Sequence, residues 1–360
     1  AHCISQWGQD FRPSYLRILD FIDSLPRRPI VSAFTATATR EVKDDIAQTL
    51  RLRDPEIVIT GFDRPNLYYR VETTRRKDAF VADYVRSHPG ESGIIYCATR
   101  KNVDAVQEML RGEDISAARY HAGMTNEERR QSQNDFIYDT APVIVATNAF
   151  GMGIDKSNVR YVIHYNMPQS MENYYQEAGR AGRDGLPSQC ILLFSPQDIV
   201  INRFLLDHKE NDDLDDEAAD LLRARDNQRL QAMANYCQTT GCLRNYILRY
   251  FGEEPAEPCG SCGNCDREFE EVDMTAQAKW MINCVAETRG RYGKGVVLNT
   301  LRGANMARLR ELGAMDYRSY GQLKDCTRDE LDCLLAQLLE EGYLVQTDDQ
   351  YAVLRMGDIT

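Results

Sequence analysis

Apolar residues between positions 30 and 208 follow two alternating patterns. Six short, unbroken runs rich in valine and isoleucine are typical of buried parallel strands: residues 30–34, 56–60, 93–97, 142–146, 160–165 and 189–194. Four amphipathic stretches have helical spacing: residues 40–50, 101–111, 126–138 and 170–183. Strands that alternate with helices predict an α/β fold, with a parallel sheet covered by helices on both faces.

The pattern changes after residue 208, where helical spacing dominates. It recurs in residues 217–234, 243–251, 274–289 and 298–312, and a loop rich in glycine, proline and cysteine covers residues 252–266. Two capping boxes, Thr125 with Glu128 and Thr327 with Glu330, predict helix starts, the second helix running to about residue 341. Residues 343–347 and 351–356 flank a polar triplet and predict a β-hairpin. Several helices followed by a hairpin indicate a winged-helix module.

Composition excludes a membrane protein and leaves a nucleic-acid partner open. The 360 residues are 43% hydrophobic and 27% charged, and no stretch approaches the roughly 20 apolar residues of a membrane span. Residues 207–220 carry −7 of the net charge of −12, so −5 remains for the other 346 residues. We interpret that acidic run as a solvated helical connector. Because the chain begins without signal-peptide features, we expect a cytoplasmic protein, nucleoid-associated if bacterial.

Four of the eleven cysteines have the spacing of a metal site. They form C-x16-C-x2-C-x2-C, with glycines that allow the tight turns of tetrahedral thiolate coordination: Cys242, Cys259, Cys262 and Cys265. Cys237 is a rival for the first ligand. Cys97, Cys190 and Cys284 lie in apolar runs and are expected to be buried as small hydrophobes. The spacing therefore predicts one structural zinc ion.

A block of two arginines suits phosphate chemistry. Gln176, Arg180 and Arg183 lie in Gln-Glu-Ala-Gly-Arg-Ala-Gly-Arg-Asp-Gly, so on a helix they share one face. Two guanidinium groups on one face suit a developing phosphoryl charge. A surface ion-pair helix is the alternative, but Gly179 and Gly182 weaken a helix and need another reason to be there.

A glycine-containing loop follows the predicted strand 142–146. Thr147 and the backbone of Gly151 and Gly153 could contact the phosphates of a nucleic acid, and Asp155 could contact ribose or an arginine. A tight turn explains the two glycines at least as well.

Six blocks occur in the order and spacing of a superfamily-two helicase: residues 1–15, 32–39, 94–100, 120–124, 147–155 and 176–185. More narrowly, the chain resembles the RecQ family of DNA helicases, bacterial type, over nearly its full length. Ala1-His2 resembles the end of the DEAH box of that family. Trp7, Phe11 and Arg12 match its aromatic-rich loop, which couples DNA binding to ATP hydrolysis.

The resemblance implies roles for individual residues. Thr99, Arg100, His121 and Thr147 are expected to face the DNA backbone, although His121 has the alternative of closing a strand end. Arg180 and Arg183 are expected to reach the γ-phosphate of ATP, with Arg183 as the arginine finger. The residues expected on the nucleotide side also include Gln176, Gly153 and Asp155.

The resemblance also implies an architecture of four parts. We expect the end of a first motor lobe in residues 1–40, a second RecA-like lobe in 41–208, a zinc-binding helical module in 209–270 and a winged helix in 271–360. The implied activity is that of a 3′ to 5′ DNA helicase in repair, recombination and replication, which binds single-stranded and forked DNA and uses ATP and Mg²⁺. Three arginines of the winged helix are candidate phosphate contacts or a solvated face: Arg302, Arg308 and Arg310.

One motif of an ATPase is missing from these 360 residues. No G-x-x-x-x-G-K-[ST] phosphate loop occurs, and Gly293-Lys294 is followed by Gly295. We therefore expect the chain to represent the part of a helicase after the phosphate-binding half, inactive by itself. A non-catalytic zinc and winged-helix DNA-binding protein is one alternative, disfavoured by the intact arginine pair. An RNA motor is another, disfavoured by the zinc motif followed by a winged helix.

Overall fold

The computed structural model describes residues 1–5, 13–151, 156–208, 216–255, 257–267, 272–347 and 352–358. Contacts divide the chain into two compact units. The first unit comprises residues 1–237 and 241–267, and the second comprises residues 238–240 and 268–360. Within the described residues, no helix is long and apolar enough to cross a membrane.

The first unit alternates strands with helices along most of its length. In chain order its elements are α1 Arg17–Ser24, α2 Arg40–Thr49, β1 Leu67–Thr73, α3 Lys77–Ser87, β2 Ser92–Tyr96, α4 Arg100–Gly112, β3 Ala117–Tyr120, α5 Asn126–Ile137, β4 Val143–Ala146, β5 Val159–His164, α6 Met171–Ala178, β6 Ser188–Phe194, α7 Pro196–Asp207, α8 Asp216–Gln238 and α9 Leu243–Tyr250.

All six strands form one parallel sheet in the order β1-β6-β5-β2-β4-β3. Successive residues of a strand point to opposite faces. Ile94 and Tyr96 therefore pack with residues of α5, α6, α8 and α9, whereas Ile95 packs with residues of α3 and α4. Helices cover both faces, which confirms the predicted α/β fold.

The second unit contains helices and a short hairpin. Its elements are α10 Thr275–Glu287, α11 Lys294–Leu301, α12 Ala307–Glu311, α13 Arg328–Glu340, β7 Leu344–Gln346 and β8 Leu354–Met356. β7 and β8 are antiparallel, as predicted, while the predicted turn, residues 348–350, and residue 351 lie outside the described part. The capping boxes of α5 and α13 are both present, which confirms those two helix starts.

Several predicted elements were wrong. Residues 30–34 and 56–60 are not strands, and most of their large apolar side chains are exposed, Ile30 by 97% and Val58 by 77%. The apolar pattern misled because a strand also needs a hydrogen-bonding neighbour, and these runs pair with none in the described chain. The predicted helix 298–312 is instead the pair α11 and α12. The prediction also missed five elements of the first unit: β1, β3, α1, α3 and α7.

Candidate functional site

The two candidate finger arginines lie in a loop, not on a helix. Because α6 ends at Ala178, the prediction that Gln176, Arg180 and Arg183 share one helical face was wrong. Gly182 has φ +55°, and a Cβ there would lie 2.5 Å from Asn66 Nδ2 and 2.7 Å from the Leu186 carbonyl oxygen. The chain turns sharply at a position that only glycine fits. We call residues 179–187 the arginine loop.

The two arginines of this loop have different surroundings. Arg180 is half-buried, and its Nη1 donates to the Gly151 carbonyl at 2.7 Å. Arg183 is exposed. The Arg180 contact joins the arginine loop to the glycine-containing loop after β4. Gly153 and Asp155, the other predicted nucleotide-side residues, lie outside the described part of the chain.

Gln176 remains on α6 and contacts a different segment. Its Nε2 donates to Thr37 Oγ1 at 2.6 Å, and Thr37 is buried within the 32–39 block. The resemblance described above assigns that block and Gln176 to separate helicase motifs. The structure brings the two motifs into direct contact.

The side chains predicted to face DNA cluster at one edge of the sheet. Thr99, His121 and Thr147 follow β2, β3 and β4, and β4 lies between the other two strands, so all three residues lie at the carboxyl edge. Arg100 Cδ and His121 Nδ1 would lie 3.3 and 3.1 Å from a Cβ on Gly123, so these two side chains flank it. Carboxyl ends of parallel strands are where such sheets bind ligands.

Local hydrogen bonds fix this edge. Thr99 caps α4 by accepting from the Asn102 amide at 3.2 Å. His121 Nδ1 accepts from the Gly123 amide at 3.2 Å, so Nε2 carries the proton and donates to Asp104 Oδ1 at 3.1 Å. Burial raises the pKa of Asp104, but hydrogen bonds from His121 and Arg119 outweigh it and hold that pKa below its usual value. His121 thus has a local bracing role, and its DNA contact stays a prediction.

The aromatic-rich segment is not covered by these observations. Trp7, Phe11 and Arg12 fall within residues 6–12, outside the described residues. Their predicted DNA contacts stay predictions.

The four predicted cysteines converge. The Sγ atoms of Cys242, Cys259, Cys262 and Cys265 all lie within 4.8 Å of one another, whereas Cys237 is buried outside this cluster. The Cys259 and Cys265 sulfurs are 3.9 Å apart. Four thiolates about 2.3 Å from a tetrahedral zinc ion have nearly this spacing. Cys242, and not its rival Cys237, is therefore the fourth member of the cluster that could hold the predicted zinc ion.

Backbone amides surround one of these thiols. Burial raises the pKa of Cys262, but hydrogen bonds from the amides of Cys265, Leu243 and Asn264 outweigh that effect and lower the pKa to about 7. These donors stabilise the thiolate form that binds metal. A bound zinc ion would be held by four sulfurs with no open position, so it supplies cross-linking and not chemistry.

Three family models match consecutive parts of the chain. They are a helicase conserved C-terminal domain at residues 76–185, a RecQ zinc-binding domain at 196–266 and an RQC domain at 268–359. The chain belongs to the RecQ family. It is 42% identical, over 98% of its length, to the ATP-dependent DNA helicase RecQ of Bacillus subtilis, and 36% identical over 98% to that of Pasteurella multocida. It spans 58% and 54% of the length of these two relatives.

The RecQ zinc module, residues 242–267, is joined to the edge of the sheet. β1 is an edge strand, and three alternate carbonyls on its open side accept from this module. Arg244 Nη2 donates to Leu67 at 2.8 Å, the Gly263 amide to Tyr69 at 2.8 Å, and Arg267 Nη2 to Val71 at 3.0 Å. A Cβ on Gly263 would lie 3.2 Å from Arg70 Cγ, so glycine permits this approach. The module covers an edge that would otherwise be open to another strand.

Sequence reasoning missed two arginines that organise this RecQ lobe. Arg244 is buried and forms an ion pair with Asp63 at 3.1 Å. Arg64 donates to three carbonyls of the arginine loop. Both contacts join residues more than one hundred positions apart, so no local spacing marks them. The only available signal was a run of polar residues, Asp63-Arg64-Pro65-Asn66, before an apolar strand.

Proposed function

We propose that this chain forms the second motor lobe, zinc module and winged helix of an ATP-dependent DNA helicase that moves 3′ to 5′. One observation carries the proposal. The loop that exposes Arg183 is joined, through the contact between Arg180 and Gly151, to the loop that begins at Thr147. The predicted nucleotide side and the predicted DNA side therefore meet within one lobe.

On the nucleotide side, Arg183 is proposed to act as the arginine finger. A guanidinium stays charged and can fork onto the oxygens of a phosphoryl group as negative charge develops on it. Arg180, engaged by the Gly151 carbonyl, holds the arginine loop against the β4 loop. Gln176 contacts Thr37 and so relates α6 to the 32–39 block.

On the DNA side, the carboxyl edge is proposed to bind the backbone of a single strand. Thr99, Arg100, His121 and Thr147 line that edge, and Trp7, Phe11 and Arg12 are proposed to add a stacking and charge contact. Arg302, Arg308 and Arg310 are exposed in the second unit and are proposed to contact the duplex of a fork.

The four parts are proposed to be residues 1–40, 41–208, 209–270 and 271–360, as the resemblance implies. Because these 360 residues contain no phosphate loop, we expect them to have no ATPase activity by themselves. The proposed role is in DNA repair, recombination and replication, and the proposed location is the cytoplasm, in association with the nucleoid if the protein is bacterial.

The proposal is tested with two samples, residues 1–360 and the full-length gene product. Residues 1–360 should bind forked DNA, with an affinity that falls as salt rises because phosphate contacts release counterions. They should not turn over ATP. The full-length product should hydrolyse ATP in a DNA-dependent manner and unwind forked DNA from a 3′ tail.

Two outcomes would replace the proposal by its alternatives. Forked-DNA binding by the full-length product without ATP hydrolysis would indicate a non-catalytic DNA-binding protein. Unwinding of an RNA duplex in preference to the matched DNA duplex would indicate an RNA motor. Multiple turnover of ATP by residues 1–360 would contradict the expected inactivity of this part.

A further inference from the structure

We infer that Arg64 is a positioning residue for ATP hydrolysis, which it affects by holding the backbone of the arginine loop. The inference rests on the proposed function, because it assigns Arg64 a role only through Arg183. Arg64 lies just before β1, 115 to 118 residues from the carbonyls that it binds.

Arg64 meets three carbonyls of the turn that follows Ala178, the last residue of α6. Its Nη1 donates to Gly179 at 3.3 Å, and its Nη2 donates to Ala181 and Gly182 at 3.1 Å each. The first of these residues, Gly179, lies directly after the carboxyl end of α6, where a positive charge is favoured. Arg64 therefore donates hydrogen bonds to the backbone of the turn through which the chain leaves α6 and enters the arginine loop.

A second side chain from the same segment grips the far end of the loop. Asn66 Nδ2 donates to the Gly182 carbonyl at 2.8 Å and to the Leu186 carbonyl at 3.0 Å. Gly182 thus receives both Arg64 and Asn66. Arg183 is the next residue along the chain, so the backbone that carries the proposed finger is fixed immediately before it.

The segment that carries Arg64 is itself anchored. The Phe62 ring stacks on Phe251 with centroids 4.4 Å apart and planes at 9°, and the Phe62 carbonyl accepts from Tyr175 Oη at 2.9 Å. Its neighbour Asp63 is paired with Arg244 of the zinc module. Arg64 therefore acts from a rigid base that contacts both α6 and the zinc module.

This arrangement matters for chemistry because a transferring phosphoryl group tolerates little misplacement of its partners. A shift of about 1 Å in a catalytic group can lower a rate by about 100-fold. A lysine at position 64 would keep the charge but could not fork across three carbonyls. Arg64 contacts the loop backbone, so it is expected to affect kcat with little effect on the KM for ATP.

The test is a double-mutant cycle in the full-length gene product. Arg64→Ala, Arg183→Ala and the double variant are compared in DNA-stimulated ATP hydrolysis, with zinc content and DNA affinity measured on each. Arg75→Ala is the control, since Arg75 is exposed and lies outside the arginine loop and its contacts. Arg64→Lys repeats the cycle with a smaller change if Arg64→Ala does not fold.

We expect Arg64→Ala to lower kcat by about 10- to 100-fold, with KM for ATP, DNA affinity and zinc content within about 3-fold of the parent. The kcat of Arg64→Lys should lie between those of Arg64→Ala and the parent, and the kcat of Arg75→Ala should match that of the parent. In the Arg183→Ala background, the Arg64 change should lower kcat little further, because both act through one group.

Two results would overturn the inference while leaving the arginine finger intact. One is an unchanged kcat in Arg64→Ala. The other is an equal fractional loss with and without Arg183. A parent-like kcat in Arg183→Ala would instead remove the finger from the proposed function, and the inference with it.

Discussion

The zinc module and the second unit both follow the sheet and both look helical in sequence, yet they are built differently. The zinc module contributes Leu243, Ile247 and Cys262 to the same apolar cluster as the sheet strands. The second unit has its own cluster, which includes Met281, Leu298 and Leu335. The zinc module is therefore an extension of the RecA-like lobe, whereas the second unit has a core of its own.

The difference follows from what each segment can bury. The loop between α9 and residue 267 is rich in glycine, proline and cysteine and offers few large apolar side chains. Small segments of this kind need a metal or disulfide in place of a core. The zinc site therefore fixes the loop, and the loop stabilises the first unit by covering the edge strand β1.

The largest expected effect is that of zinc removal. Cys259→Ser should abolish stoichiometric zinc binding and lower the melting temperature of the first unit, because structural zinc binds small modules with about 10 to 16 kcal/mol. Calorimetry with elemental analysis would measure both. Cys326→Ser, in the second unit, is the matched control and should keep zinc. If the first unit melts at the temperature of the parent although no zinc is bound, the zinc module is not needed to stabilise that unit.

The next effect is confined to the second unit. Leu335→Ala truncates a side chain that is 1% exposed and should cost about 2 to 5 kcal/mol in the free energy of unfolding of that unit. Denaturant titration would measure it. Zinc content and the first transition should stay unchanged. Coupled loss of both transitions would contradict separate cores.

A smaller effect is expected at the joint between zinc module and sheet. Arg244→Ala leaves the buried Leu67 carbonyl without its donor, which should cost about 1 to 3 kcal/mol. Asp63 is half-exposed and adds little to this cost. Zinc should still bind, because the four thiols are untouched. Loss of zinc in this variant would mean that Arg244 shapes the metal site directly.

The smallest effect is expected at the outer end of the same joint. Arg267 also donates to β1, but its side chain is 48% exposed, so water can replace it. Arg267→Ala should change the free energy of unfolding by about 1 kcal/mol or less. Urea midpoints of this variant and Arg244→Ala, measured side by side, would check the ranking. A larger decrease in the urea midpoint for Arg267→Ala than for Arg244→Ala would contradict this ranking.

Much of this architecture could be predicted because its signals are local. The cysteine spacing identified all four members of the cluster, and the apolar runs identified four strands of the parallel sheet. The prediction that the two arginines lie on one face of α6 was wrong because Gly182 and the distant Asn66 fix a turn, which helical spacing cannot reveal. Arg64 and Arg244 were missed because their partners lie far away in sequence. In residues 30–34 and 56–60 the local pattern is that of a strand, but within the described chain no neighbouring strand pairs with them.

Hydrogen exchange with and without zinc, read by mass spectrometry, tests most directly whether the zinc module belongs to the RecA-like lobe. Zinc removal should speed exchange at Gly263 and along β1, Leu67–Thr73, because the module that covers this edge is released. Helices α10 to α13 should keep their protection. Faster exchange only within residues 242–267, with β1 still protected, would contradict this assignment, as would a simultaneous loss of protection in the second unit.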